Sequence, residues 1–118
     1  MIRPDHQTIR LALALHGALR SWGVPPEAIY VYPNAGAPGL LGVAAHPAVG
    51  KPLGYVVGPI PGTEDEFVRD WPEWVAWWNA AETPDHERSA VLLELAMAVG
   101  GELDLMRERV RTYQWGEA

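Results

Sequence analysis

The sequence predicts an α+β fold: an N-terminal helix, a three-stranded antiparallel meander and two to three C-terminal helices (α-β-β-β-α-α-α), all in one domain spanning residues 1–118. Three observations predict it. Residues 28–62 carry one formal charge, Lys51, and break into three short β-branched or aromatic runs separated by Gly and Pro. Apolar residues recur at helical spacing on both sides of that segment. Finally, Thr63 to Asn79 joins the strongest helix-start signal in the chain to four of its six tryptophans.

The first helix is read over Arg3 to Trp22. Pro4 and Asp5 suit a first turn, and Leu11, Leu15, Ala18 and Trp22 follow i, i+4, i+7, i+11. Ile9 and Leu13 widen the stripe over much of the circumference. Gly23, apolar Val24 and Pro25-Pro26 form a stop of the Schellman kind.

Three strands follow, at Ala28 to Tyr32, Leu40 to Ala45 and Leu53 to Val57. Alternation sends Ile29 and Val31 to one face and Tyr30 and Tyr32 to the other, so the tyrosine side is partly wet. Pro33 to Gly39 is Gly-rich, yet it lacks the Lys-Ser/Thr of a P-loop and opens no helix, so it reads as a connector.

The helix begun at Thr63 has a capping-box pattern with Glu66, and Glu64, Asp65 and Glu66 lie at the positive end of its dipole. Phe67, Trp71, Trp74 and Trp78 make a core-facing stripe. Pro72 projects to the opposite side, predicting a kinked helix; a fresh start at Asp70 with Glu73 at N3 is the competing pattern. Thr83-Pro84 signals the next helix, which runs to Val99. Being apolar nearly all round, it is expected to be the most buried element, with Trp71, Trp74 and Trp78 packed near it. Gly100-Gly101 ends it. Leu103, Met106, Val110 and Tyr113 then favour a last helix over Glu102 to Tyr113, although alternation around Arg107, Arg109 and Arg111 also fits a strand.

The net charge of −6 is concentrated: eight acids and two arginines lie between Thr63 and Arg88, and the remainder balances. A solvated helix face is one explanation, and a docking surface for a basic protein partner is the other. Within this segment Asp70, Glu73, Trp77 and Glu82 are the candidate partner-binding residues, an indole on the edge of the stripe with acids around it. The same charge would repel phosphate, which makes nucleic acid an unfit partner unless the arginines at 107, 109 and 111 form a separate site.

Catalytic chemistry finds little footing. The serines are Ser21 and Ser89, neither in a nucleophile turn, and cysteine is absent. No disulfide framework or thiolate metal site is therefore possible, the chain reads as cytoplasmic, and no segment is apolar and long enough to span a bilayer. Pro-Asp-His occurs twice, at residues 4–6 and 84–86; two such pairs meeting in space could bind a divalent metal, but ordinary first-turn chemistry accounts for both. His16 reads as a packing histidine, and His46 as a hairpin-end residue. Neither a cofactor nor a metal is expected.

Three functions are compatible. The leading one is a small acidic, non-enzymatic protein-binding module, such as an inhibitor, an immunity or anti-defence factor, or an adaptor. The first alternative is a structural subunit of a larger assembly such as a virion particle, homo-oligomeric or not, in which the neutral sheet meets a neighbour. The second is a small metal-dependent enzyme using the Pro-Asp-His pairs.

Overall fold

A computed structural model of the chain describes residues 6–34, 37–80 and 85–115. The order of elements is α1 (Gln7–Ser21), β1 (Ile29–Tyr32), β2 (Leu40–Ala45), β3 (Leu53–Pro59), α2 (Glu64–Asn79), α3 (Asp85–Val99) and α4 (Glu102–Thr112), with a short 3-10 turn at Pro26–Ala28. This is the α-β-β-β-α-α-α arrangement that the sequence predicts, and the tail is a helix.

Helix α1 is the hub. It packs against all three strands and against α2 and α3. Ile9, Leu11, Ala12, Leu13, Ala14, Leu15 and Leu19 are all buried, so its apolar residues are covered around most of the helix. Its start is capped by His6, whose Nδ1 accepts from the Thr8 N–H at 3.2 Å. Its end is a full Schellman motif: the Gly23 N–H donates to the Arg20 carbonyl at 3.1 Å and the Val24 N–H to the Leu19 carbonyl at 3.0 Å. Gly23 has φ 105°, which a side chain rarely tolerates, and Val24 closes the motif by burying itself in the core.

The sheet is a meander of order β1-β2-β3, antiparallel throughout. Register places Tyr30 opposite Ala44 and Tyr32 opposite Gly42, and then Ala44 opposite Gly54 and Gly42 opposite Val56. One face therefore carries Ile29, Leu41, Val43, Ala45 and Leu53 down onto α1, and the other carries the two tyrosines outward. Strand β3 runs two residues beyond its predicted end, past a bulge at Leu41/Gly42. Gly58, at φ 146°, allows this, because a Cβ there would come within 2.9 Å of the Thr8 hydroxyl in the first turn of α1.

Helix α2 is unbroken from Glu64 to Asn79 with Pro72 inside it, so there is no second start at Asp70. Pro72 and Val68 both face solvent, where water replaces the bond that proline removes. Thr63 Oγ1 accepts from the Glu66 N–H at 3.2 Å, which is one half of the predicted capping box; the reciprocal bond is absent among the described residues.

The burial expected of the 84–99 helix is corrected by the structure. Only Val91, Leu95 and Val99 of α3 are buried, while Leu93 is 63% and Met97 78% exposed. Two of the tryptophans meet α1: Trp78 lies over Gly17, and Trp71 meets His16 edge-on at 5.9 Å. Apolar composition made α3 able to be buried on any side, but in this topology the place between sheet and helices goes to α1. Helix α3 covers α1 with one face and leaves the opposite one open.

Candidate protein-binding surface

On the uninterrupted α2, Glu66, Asp70, Glu73 and Trp77 follow i, i+4, i+7, i+11 and share one flank beside the buried Phe67, Trp74 and Trp78. Three carboxylates thus lead along the helix to one indole. Glu66 and Glu73 are exposed; Trp77 is half-buried, with its ring 6.4 Å from that of Trp78. Asp70 is less available. Its side chain is only 17% exposed and takes a two-point contact from Arg69, Nε to Oδ1 at 3.0 Å and Nη2 to Oδ2 at 3.2 Å. That hydrogen bond, opposed by desolvation and aided by the charge of Arg69, holds the Asp70 carboxyl below its ordinary range. Glu82, the fourth candidate, lies outside the described residues.

The C-terminal end of α2 is secured by Arg88 of α3. Its Nε donates to the Trp78 carbonyl at 2.8 Å and its Nη2 to the Ala80 carbonyl at 2.5 Å, while Nη1 meets Asp85 at 3.2 Å. A cation is well placed there, since the last carbonyls of a helix are the negative end of its dipole. The acidic N-terminal turn is braced too: Asn34 donates to Glu64 at 2.8 Å and accepts from the Gly39 N–H at 3.0 Å, tying the β1–β2 connector to α2. Residues 35 and 36 of that connector lie outside the described residues.

A second surface lies on the tyrosine side of the sheet, where the sequence shows no cluster. Tyr30, Tyr32 and His46 form one aromatic cluster on the outer face of the sheet. The tyrosine rings stack at 6.1 Å, His46 stands edge-on to Tyr30 at 4.7 Å, and the Tyr32 hydroxyl and His46 Nε2 share a hydrogen bond of 2.5 Å. Beside it a shallow groove of about 230 Å³ is lined by Tyr32, Gly42, Ala44, Gly54, Tyr55 and Val56. The signal was present in the alternation: register brings the small residues of β2 and β3 alongside the tyrosines. In sequence His46 is a hairpin-end residue, and its cross-strand position shows only once β1 and β2 are paired.

No family model matches the chain, and no curated protein or solved structure matches it.

Among the described residues no group of three or more His, Asp or Glu side chains is placed to hold a metal ion. His6 spends its Nδ1 on the Thr8 N–H, and Asp5 and Pro84 lie outside the described residues, so the pairing of the two Pro-Asp-His segments does as well. His16 is partly buried, and desolvation, with the nearby Arg20 second, lowers its pKa from the ordinary value. No helix among the described residues is long and apolar enough to cross a membrane.

Proposed function

We propose that this protein is a small non-enzymatic protein-binding module, of the inhibitor, immunity or adaptor kind, that receives a basic partner surface on the acidic flank of α2. The observation that carries the reading is the single line of Glu66, Asp70, Glu73 and Trp77 along one unbroken helix. Localised charge speeds encounter with a partner of opposite sign, and a half-buried indole at the end of the line supplies an anchor. With Asp70 already engaged by Arg69, the steering charge is carried by Glu64, Asp65, Glu66 and Glu73. The cytoplasm is the compartment this reading implies, since the fold owes nothing to oxidised thiols.

The test is capture of the native partner followed by association and dissociation kinetics on variants. Glu66→Gln/Glu73→Lys slows association and flattens its salt dependence, while Trp77→Ala speeds dissociation. A partner whose association ignores both the charge changes and added salt overturns the reading.

One observation favours a second reading, that of a subunit in a larger assembly. The sheet is covered on one face by α1, and its other face presents Tyr30, Tyr32 and Val56 to solvent without a formal charge. Val56→Glu, on this reading, changes the assembly state seen by analytical ultracentrifugation, whether the neighbour is a second copy or another subunit.

A further inference from the structure

We infer that the cleft between β3 and α4 binds an extended peptide segment of a partner, taken up as a fourth strand and held by a carboxylate on Arg109. This goes beyond the reading above, since it concerns another surface and another ligand.

The cleft has a volume of about 300 Å³. One wall is four consecutive residues of the β3 side, Pro52 to Tyr55; the other is Glu102, Leu105, Met106 and Arg109 of α4. Those α4 positions are i, i+3, i+4 and i+7, so a single helix face is turned toward the strand.

Register decides which backbone groups of β3 are free. The His46 N–H donates to the Ala28 carbonyl at 2.8 Å, which makes Ala28 and His46 a hydrogen-bonded pair. In an antiparallel ladder such pairs alternate. Tyr30–Ala44 and Tyr32–Gly42 are then also bonded pairs, so Ala44 and Gly42 direct their N–H and C=O groups to β1. Ala45 and Val43 direct theirs to Leu53 and Tyr55. The N–H and C=O groups of Gly54 and Val56 consequently point out from the sheet edge, away from β2. Gly54 borders the cleft.

An edge that offers unpaired backbone groups is a template for one more strand. Here it faces an apolar helix surface, Leu105 and Met106, across a space that accepts a side chain. Arg109 fixes the charge of the occupant. Its guanidinium makes no ion pair or hydrogen bond among the described residues, whereas Arg107 and Arg111 on the same helix are paired with Asp104 and Glu108. Glu102, seven residues away and so about 10 Å along the helix, refuses a second carboxylate. The segment therefore carries its negative charge at one end only, with an apolar side chain between.

The probe is a random octapeptide library displayed on phage and selected on the intact protein, with enriched sequences then synthesised. Enriched peptides combine Val, Ile or an aromatic residue with one Asp or Glu, or with a free C-terminal carboxylate. Their binding slows amide exchange at Gly54 and Val56 by about 10-fold or more, as enclosure in a ladder does. Methylating the peptide nitrogen that faces the strand abolishes binding without touching the protein. Arg109→Gln, at an exposed position, weakens it roughly 10-fold through loss of the charge-assisted bond. The inference fails if no peptide is enriched, if protection appears elsewhere than β3, or if Arg109→Gln binds as the parent does.

Discussion

The Trp78 indole lies over Gly17, with its Nε1 only 2.7 Å from where a β-carbon on that glycine would stand. Helix α2 thus closes on α1 at a point where α1 offers no side chain. The approach explains a glycine in mid-helix, a position that ordinarily costs about 1 kcal/mol against alanine. Gly17→Ala is expected to lose about 1–2 kcal/mol of stability in chemical denaturation, because forced repacking around a buried indole outweighs the helix-propensity gain. A neutral or stabilised variant would show that the indole moves aside freely.

Leu95 and Leu92 separate the covered from the open side of α3. Leu95 is fully buried, whereas Leu92 is 39% exposed. Leu95→Ala should destabilise by roughly 2–5 kcal/mol, and Leu92→Ala by about 1 kcal/mol or less. Equal shifts of the denaturation midpoint would contradict the one-sided packing of this helix.

Arg88 offers a test of how α2 and α3 are joined. Arg88→Ala strips two charge-assisted bonds from the end of α2 and is expected to cost about 1.5–3 kcal/mol. Arg88→Lys keeps the charge but not the two-point geometry, and should fall between the two. Thermal unfolding of the three proteins in parallel gives the order.

For His16 the sign follows from a lowered folded-state pKa, caused first by burial and then by Arg20. Below an ordinary value near 6.5 the unfolded chain takes up the proton more readily than the folded one. The stability that the neutral ring contributes is therefore complete above pH 6.5 and declines as pH falls through the folded-state pKa. His16→Gln should remove that part of the slope when melting temperature is followed from pH 7.5 to 5.

Much of this architecture was legible. The Gly23-Val24 stop, the strand β2 bounds and the single-face tyrosines follow from local rules, and each acts within a few residues of itself. Two features did not. The centrality of α1 over α3 depends on which apolar helix the sheet reaches first, and both helices carry enough apolar residues to serve. The cluster of Tyr30, Tyr32 and His46 depends on cross-strand register. The line from Glu66 to Trp77 was legible only from Asp70 onward, since a restart at Asp70 would have turned Glu66 out of line with Glu73 and Trp77.

The position of α1 has a bearing on biosynthesis. It precedes in sequence every element it packs against, and its last partner, α3, ends at Val99. At translation rates of 5–20 residues per second, about 4–16 s separate the completion of α1 from that of α3. Until α3 is complete this apolar helix lacks its full cover, with only the strands and then α2 to pack on. The finished fold hides this segment better than any other, so its hazard is one of timing: nascent chains stalled before residue 99 should be held by chaperones that grip apolar helices, and chains released beyond it should not.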